Sequence, residues 1–171
     1  MGERHPRLHL ALRPCADTDV GWITEACGDP DIQRWTEVPT PYGIDDARVF
    51  VASGGGSLLV RAVVDATTDE GVGMVAVHRI DEEENDAALG YWVAPWARRR
   101  GVATWATLAI AAEAASRWGV TRVSLDIAVA NEASTAGARR AGFSVGVTPA
   151  ELRVADGDGR SPAVRWVRPV G

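Results

Sequence analysis

Leu89-Gly-Tyr-Trp-Val-Ala-Pro-Trp-Ala-Arg-Arg-Arg-Gly-Val-Ala-Thr104 reads as a strand, a tight arginine-rich turn and the opening of a long helix. Leu89 to Val93 is apolar and aromatic, which suits a buried strand. Pro95 has no N–H to give to a ladder and stops that strand. From Val102 the chain becomes alanine-rich, with Trp105, Leu108, Ala109 and Ala112 at helical spacing.

A helix that begins at Gly101-Val102 leaves its first backbone N–H groups without intrahelical acceptors, and their partial charge adds to the macrodipole. An anion is stabilised at such a point. Gly101 lets the main chain approach a ligand closely, and Ala103 is the next smallest choice. Arg98, Arg99 and Arg100 set three guanidinium forks beside the same turn, and that fork matches phosphate geometry. The parts together describe a pyrophosphate cradle over Arg98–Thr104. It is not a P-loop, because the chain has no lysine, and G-x-G-x-x-G is absent as well.

The 171 residues suit one domain spanning 1–171. No apolar run approaches the roughly 20 residues of a membrane span. The opening Met-Gly-Glu-Arg-His-Pro-Arg has no apolar stretch behind its charges, so a cytoplasmic protein is expected. Cys15 and Cys27 make neither a disulfide framework nor zinc-ligand spacing, and His5, His9 and His78 are scattered; no metal is expected. The net charge of −5 argues against general nucleic-acid binding and would weakly attract a cationic substrate such as an amine.

Outward from the central stretch, Leu8, Leu10 and Leu12 alternate with polar or small residues as a half-buried strand does, and Pro14 ends it. A helix capped by Asp17 or Thr18 should run to Cys27, followed by a helical turn over Asp31–Trp35 and a second helix over Asp45–Ala52. Strands are expected over Leu58–Val64, Val72–Ile80 and Leu89–Val93, then a helix over Val102–Trp118 closed by Gly119. A strand over Val120–Ile127, a short helix from Asn131 to Ala141 and a hairpin of Val145–Val154 with Ala163–Val167 complete the chain.

Arg98-x-x-Gly101-x-Ala103 between a strand and a helix resembles the acyl-CoA signature of the GNAT family of N-acyltransferases, and the order of elements is the one that family uses. Leu10-x-Leu-Arg-Pro14, Trp35…Pro39-x-Pro41-Tyr42…Asp46-Ala47, Leu89-Gly-Tyr-Trp-Val93 and Asn131-x-x-Ser134 with Ala141-Gly-Phe143 are similar to the branch containing the ribosomal-protein N-terminal acetyltransferases. The resemblance implies an α+β fold, a mostly antiparallel sheet flanked by helices. It also implies transfer of an acetyl group from acetyl-CoA to a primary amine, a protein N-terminal α-amine or a small amine, by direct attack in a ternary complex. The partners are then an acyl-CoA and an amine, without nucleic acid or membrane, and a homodimer is left open. The rival readings are a non-catalytic acyl-CoA sensor and an acyltransferase with a larger donor such as succinyl-CoA.

By the same resemblance, the amides of Arg99, Arg100, Gly101, Val102, Ala103 and Thr104 hold the pyrophosphate, with charge from Arg98 to Arg100. The pantetheine arm lies along Trp92-Val93, a bulge at that strand's end aims an N–H from about Val93 at the thioester oxygen, and Asn131 bonds the arm. The alternative for Asn131 is an ordinary turn or cap residue after a strand. Ser134 is either the acid that protonates the leaving thiolate or a helix cap. Ala138 stands where many relatives carry a tyrosine acid, and Ala88 where many carry a glutamate base. Glu37, Asp86, Glu84 and His78 are the remaining candidates for the base. The acceptor pocket is expected from Trp35, Pro41, Tyr42 and the closing hairpin. Of seven tryptophans, Trp92, Trp105 and Trp166 read as core, while Trp35 and Trp96 could line a cleft.

Overall fold

A computed structural model describes residues 8–170; the charged opening 1–7 lies outside them. The chain runs β1 (Leu10–Arg13), α1 (Val20–Cys27), α2 (Pro30–Trp35), α3 (Ile44–Ser53), β2 (Leu59–Asp65), β3 (Gly71–Asp81), β4 (Asp86–Val93), α4 (Val102–Trp118), β5 (Arg122–Ala128), α5 (Glu132–Arg140), β6 (Ser144–Val145), β7 (Arg153–Asp156) and β8 (Gly159–Pro169). The strands form one sheet in the order β1-β2-β3-β4-β5-β8-β6, with β7 paired to β8. Every pairing is antiparallel except β4 with β5.

Both faces of this sheet are covered, so its central strands read as apolar runs. Val63, Val75 and Val77 turn to the face that α4 covers, with Ala106, Ile110 and Ala114. Ala62, Val64 and Met74 turn to the other face, against Ile23 and Ala26 of α1 and Ala47 of α3. Val72 breaks the alternation and joins the α4 side because the β2–β3 register shifts between Val63 and Val64.

Helix starts depart from the sequence reading in instructive ways. Neither Asp17 nor Thr18 caps α1. Asp19, 1 % exposed, instead accepts from the Ala16 amide, the Trp22 indole and both terminal nitrogens of Arg13, at 2.8 to 2.9 Å. The helical turn at Asp31 starts at Pro30, because the Asp29 carboxylate accepts from the amides of Asp31 and Ile32 at 3.1 Å. The first arm of the closing hairpin is broken into β6 and β7 by an irregular stretch, 146–152, that contains Pro149.

Candidate functional site

The turn before α4 is tight. Gly101 takes φ +80° and Arg99 φ +61°, both in the left-handed region. Gly101 gives α4 no side-chain cap, and its carbonyl accepts the first helical bond from Trp105 at 3.0 Å. The amides of Val102, Ala103 and Thr104 therefore belong to the set a helix start leaves without intrahelical acceptors. A Cβ built on Gly101 would meet nothing within 4 Å, so the space before the helix is open. These residues wall a cavity of ≈ 640 Å³ that also touches Val93, Arg99 and Arg140. A diphosphate fits this start.

Arg98 is already engaged. Its guanidinium clasps Asp29, the cap of α2, and lies 3.4 Å from Asp31. The Arg98 side chain thus ties α2 to the turn. Burial alone would raise the Asp29 pKa, but Arg98 and two backbone amides hold it below its ordinary value.

The cavity exists because β4 and β5 part. They pair in parallel only from Asp86–Arg122 to Leu89–Leu125, and beyond Leu89 the strand edge of β4 has no partner in β5. Between the separated ends stands the start of α5. Asn131 caps that helix, its side-chain oxygen accepting from the Ser134 amide at 3.1 Å. Ser134 is therefore not the cap; its hydroxyl lies 3.0 Å from the Tyr91 hydroxyl of β4. Burial raises the Tyr91 pKa, opposed by Ser134 and Arg140, and the phenol stays protonated at neutral pH. The expected bulge near Val93 is absent: β4 keeps register with β3 from Leu89 to Val93, and the shift falls on β3 at His78.

A second cavity of ≈ 500 Å³ lies on the far side of the parting. Trp35, Thr36, Tyr91, Trp92, Asn131 and Ser134 line both cavities, which places their junction at the Tyr91–Ser134 pair. The segment from α2 to Glu37 crosses this junction and is stitched to the β7–β8 hairpin. Arg34 bonds Asp156 at 2.7 Å, the Gly157 amide bonds the Arg34 carbonyl at 2.8 Å, and Glu37 pairs with Arg160 at 2.8 Å. Arg34 also stacks over the Trp35 ring at 4.3 Å.

The four candidate bases fall in different places. Glu37 and His78 line the second cavity. The His78 ring sits over Gly90, where a Cβ would lie 2.2 Å from its Nε2, and its Nδ1 lies 2.9 Å from Ser57 Oγ. Desolvation lowers the His78 pKa, partly opposed by Glu37, so the imidazole is neutral at pH 7. Asp86 lies at the closed end of the parting, 3 % exposed, held by Ser124 at 2.5 Å and Arg122 at 3.1 Å, and lines neither cavity. Glu84 pairs with Arg122 on the same side.

Trp35 lines both cavities, whereas Tyr42 and Trp96 line neither. Tyr42 packs with α1 and α3 and bonds Cys27, whose thiol burial pushes up to about 12. Trp96 bonds the Gly71 carbonyl at 3.0 Å and packs between the two cores. Trp92, read as core, is half-buried against Trp22 and lines both cavities. Tyr91, which the sequence reading did not single out, lines both cavities beside Ser134; its sequence signal was a polar tip in an apolar strand.

Among the described residues no cluster of three His, Cys, Asp or Glu could hold a metal, and no helix is long and apolar enough to cross a membrane. Residues 9–144 match the family model described as an acetyltransferase (GNAT) domain. A comparison with curated proteins finds no match. Among solved structures, the ribosomal-protein α-N-acetyltransferase RimL in complex with coenzyme A is similar at TM-score 0.79 and 19 % identity, over 95 % of this chain and 94 % of that one. RimJ of Mycobacterium smegmatis, with CoA-disulfide, gives 0.77 and 18 % over 96 % and 85 %. Spermidine N-acetyltransferase from Vibrio cholerae, with CoA and spermine, gives 0.73 and 18 % over 94 % and 95 %. At these identities the likeness shows the fold.

Proposed function

The chain belongs to the GNAT acetyltransferase family, and on that footing we propose that it transfers the acetyl group of acetyl-CoA to a primary amine by direct attack in a ternary complex. One observation carries this reading: two cavities, one starting at an uncapped helix terminus, meet at a single hydroxyl pair between parted strands. The α4 amides with Arg99 and Arg100 hold the diphosphate. The open edge of β4 offers N–H and C=O groups to an extended amide-bearing arm, as a strand edge does to a peptide. A main-chain N–H near Trp92-Val93 then faces the carbonyl oxygen as charge develops on it.

Acceptors enter from the second cavity. An alkylammonium must lose its proton before attack, and the neutral His78 imidazole, which carries no guanidinium as Glu37 and Asp126 do, lines that cavity and receives it, directly or through water. Ser134 gives its proton to the departing thiolate. The same cradle would serve a larger donor such as succinyl-CoA, and it would also serve a sensor that binds without turnover. Calorimetry with acetyl-CoA, succinyl-CoA and free CoA, followed by thiol release over a panel of amines, tests all three. Tight acetyl-CoA binding with amine-dependent thiol release is expected; binding with no release from any amine refutes the catalytic reading.

A further inference from the structure

Besides the protonated phenol of Tyr91, five ionisable side chains line the second cavity: Glu37, His78, Arg79, Asp126 and Arg160. Both carboxylates are already matched. Glu37 pairs with Arg160 at 2.8 Å, and Asp126 takes a two-point bond from Arg165 at 2.8 and 2.9 Å. Arg79 lies 3.5 Å from Asp81, and the neutral imidazole of His78 adds no charge. The remaining surface includes Phe50, Met74, Ala76, Trp92 and Val154. Although the whole chain is acidic, this cavity offers no surplus negative charge.

A polyamine would carry its remote ammonium groups into a space where each carboxylate already has a guanidinium, so no unmatched negative charge draws them in. A folded protein's N-terminus would have to thread under the segment stitched to the β7–β8 hairpin by Arg34–Asp156 and Glu37–Arg160. A volume of ≈ 500 Å³ lies in the range of small-molecule pockets. From the paired charges, apolar walls and stitched roof, we infer that the acceptor is a small monoamine on an apolar body of about aromatic size, an arylalkylamine in chemical class. This rests on the acyl-transfer reading and narrows it. Phe50, Met74 and Trp92 choose the body, and the amine points toward the Tyr91–Ser134 junction.

The test uses the wild-type chain with saturating acetyl-CoA and follows thiol release with phenethylamine, tryptamine, spermidine and a peptide with a free serine N-terminus. The arylalkylamines should exceed spermidine and the peptide in kcat/KM by at least about tenfold, the scale on which a pocket discriminates by shape. Faster turnover of spermidine or the peptide overturns the inference while leaving acyl transfer intact. Thiol release from none of them, with acetyl-CoA bound in calorimetry, overturns the inference and counts against the catalytic reading. Phe50→Ala should raise the KM for phenethylamine about tenfold with the KM for acetyl-CoA unchanged; an unaltered phenethylamine KM removes Phe50 from the acceptor wall.

Discussion

Removing the two hydroxyls at the junction, singly and together, probes the leaving-group chemistry most directly. Ser134 Oγ and the Tyr91 hydroxyl lie 3.0 Å apart, so one proton lies between them. If Ser134 is to give its own proton to sulfur, Tyr91 must be the donor to Ser134, and burial keeps the phenol protonated for that task. A donor bond received by a hydroxyl strengthens the bond it gives onward. Loss of a general acid costs about a hundredfold at the lower end, so Ser134→Ala should lower kcat by that order with the KM for acetyl-CoA little changed. Tyr91→Phe keeps the ring and removes one neutral hydrogen bond, worth about 0.5–1.5 kcal/mol. At about 1.36 kcal/mol per decade that is roughly a two- to thirteenfold fall in kcat. In the Ser134→Ala background the same change should do almost nothing, since its effect passes through the serine. The assay is single-turnover thiol release, which isolates the chemical step. Equal slowing by Tyr91→Phe in both backgrounds would show that the hydroxyls act independently, and an unchanged rate in Ser134→Ala would remove the serine from the mechanism.

Gly101→Asp should abolish coenzyme binding in calorimetry, because it sets a carboxylate against the diphosphate at a φ of +80°; surviving affinity would place the phosphates elsewhere. Arg99→Gly should stabilise the free protein by about 1 kcal/mol, since the φ of +61° costs a side-chain residue roughly that much, and should weaken CoA binding most at low salt; a lowered melting temperature would contradict the strain. Gly71→Ala should destabilise by about 3 kcal/mol, because its Cβ would fall 2.1 Å from Trp22 Cε2, a loss that urea melts would register. For Asp19, burial favours the acid form, but Arg13, Trp22 and the Ala16 amide more than offset it and the folded pKa is lowered. Its contribution is therefore full above the unfolded pKa of about 3.9 and is lost as pH falls through the lower folded value. Asp19→Asn should lose about 3 kcal/mol at pH 7 and a smaller amount at pH 2; an equal loss at both would refute the linkage.

The turn and helix of the cradle were legible because their physics is local. Gly101 at a helix start and arginines just before it can be read from six consecutive residues. The left-handed backbone of Arg99, costly for a residue with a side chain, is not announced by the arginine run itself. The fate of Arg98 was not legible, because its partner Asp29 is 69 residues away and only the fold brings them together. Tyr42 and Trp92 exchanged their expected roles for a similar reason. A strand buried on both faces gives no alternation from which to tell wall from core, so the side of the Trp92 ring, as distinct from its main chain, was not legible from its neighbours. Asn131 and Ser134 each read as a cap or a functional residue, and the structure gives the cap to the asparagine, whose side chain accepts from the Ser134 amide while the Ser134 hydroxyl meets Tyr91.

The parting of β4 from β5 is what converts a stable sheet into a site. A parallel pair needs a crossover, and here α4 supplies it, leaving from the end of β4 that opens and returning to β5 at the end that stays closed. The helix start therefore necessarily lies beside the open end, so the positive pole of α4 and the unpaired strand edge face the same space. Asp86, Ser124 and Arg122 lock the closed end with bonds of 2.5 and 3.1 Å, which fixes where the strands can separate. Asp86→Ala should then act on the cleft without touching any ligand. It leaves Ser124 buried without that acceptor and frees Arg122 from β4, a loss of about 3 kcal/mol that loosens the point from which the strands diverge. The measurable consequence is a lower melting temperature together with a higher Kd for CoA. If Asp86 instead served as the base, CoA affinity would stay unchanged while kcat collapsed and its pH profile flattened. A variant that binds CoA normally and turns over slowly would therefore contradict this account of how the cleft is held open.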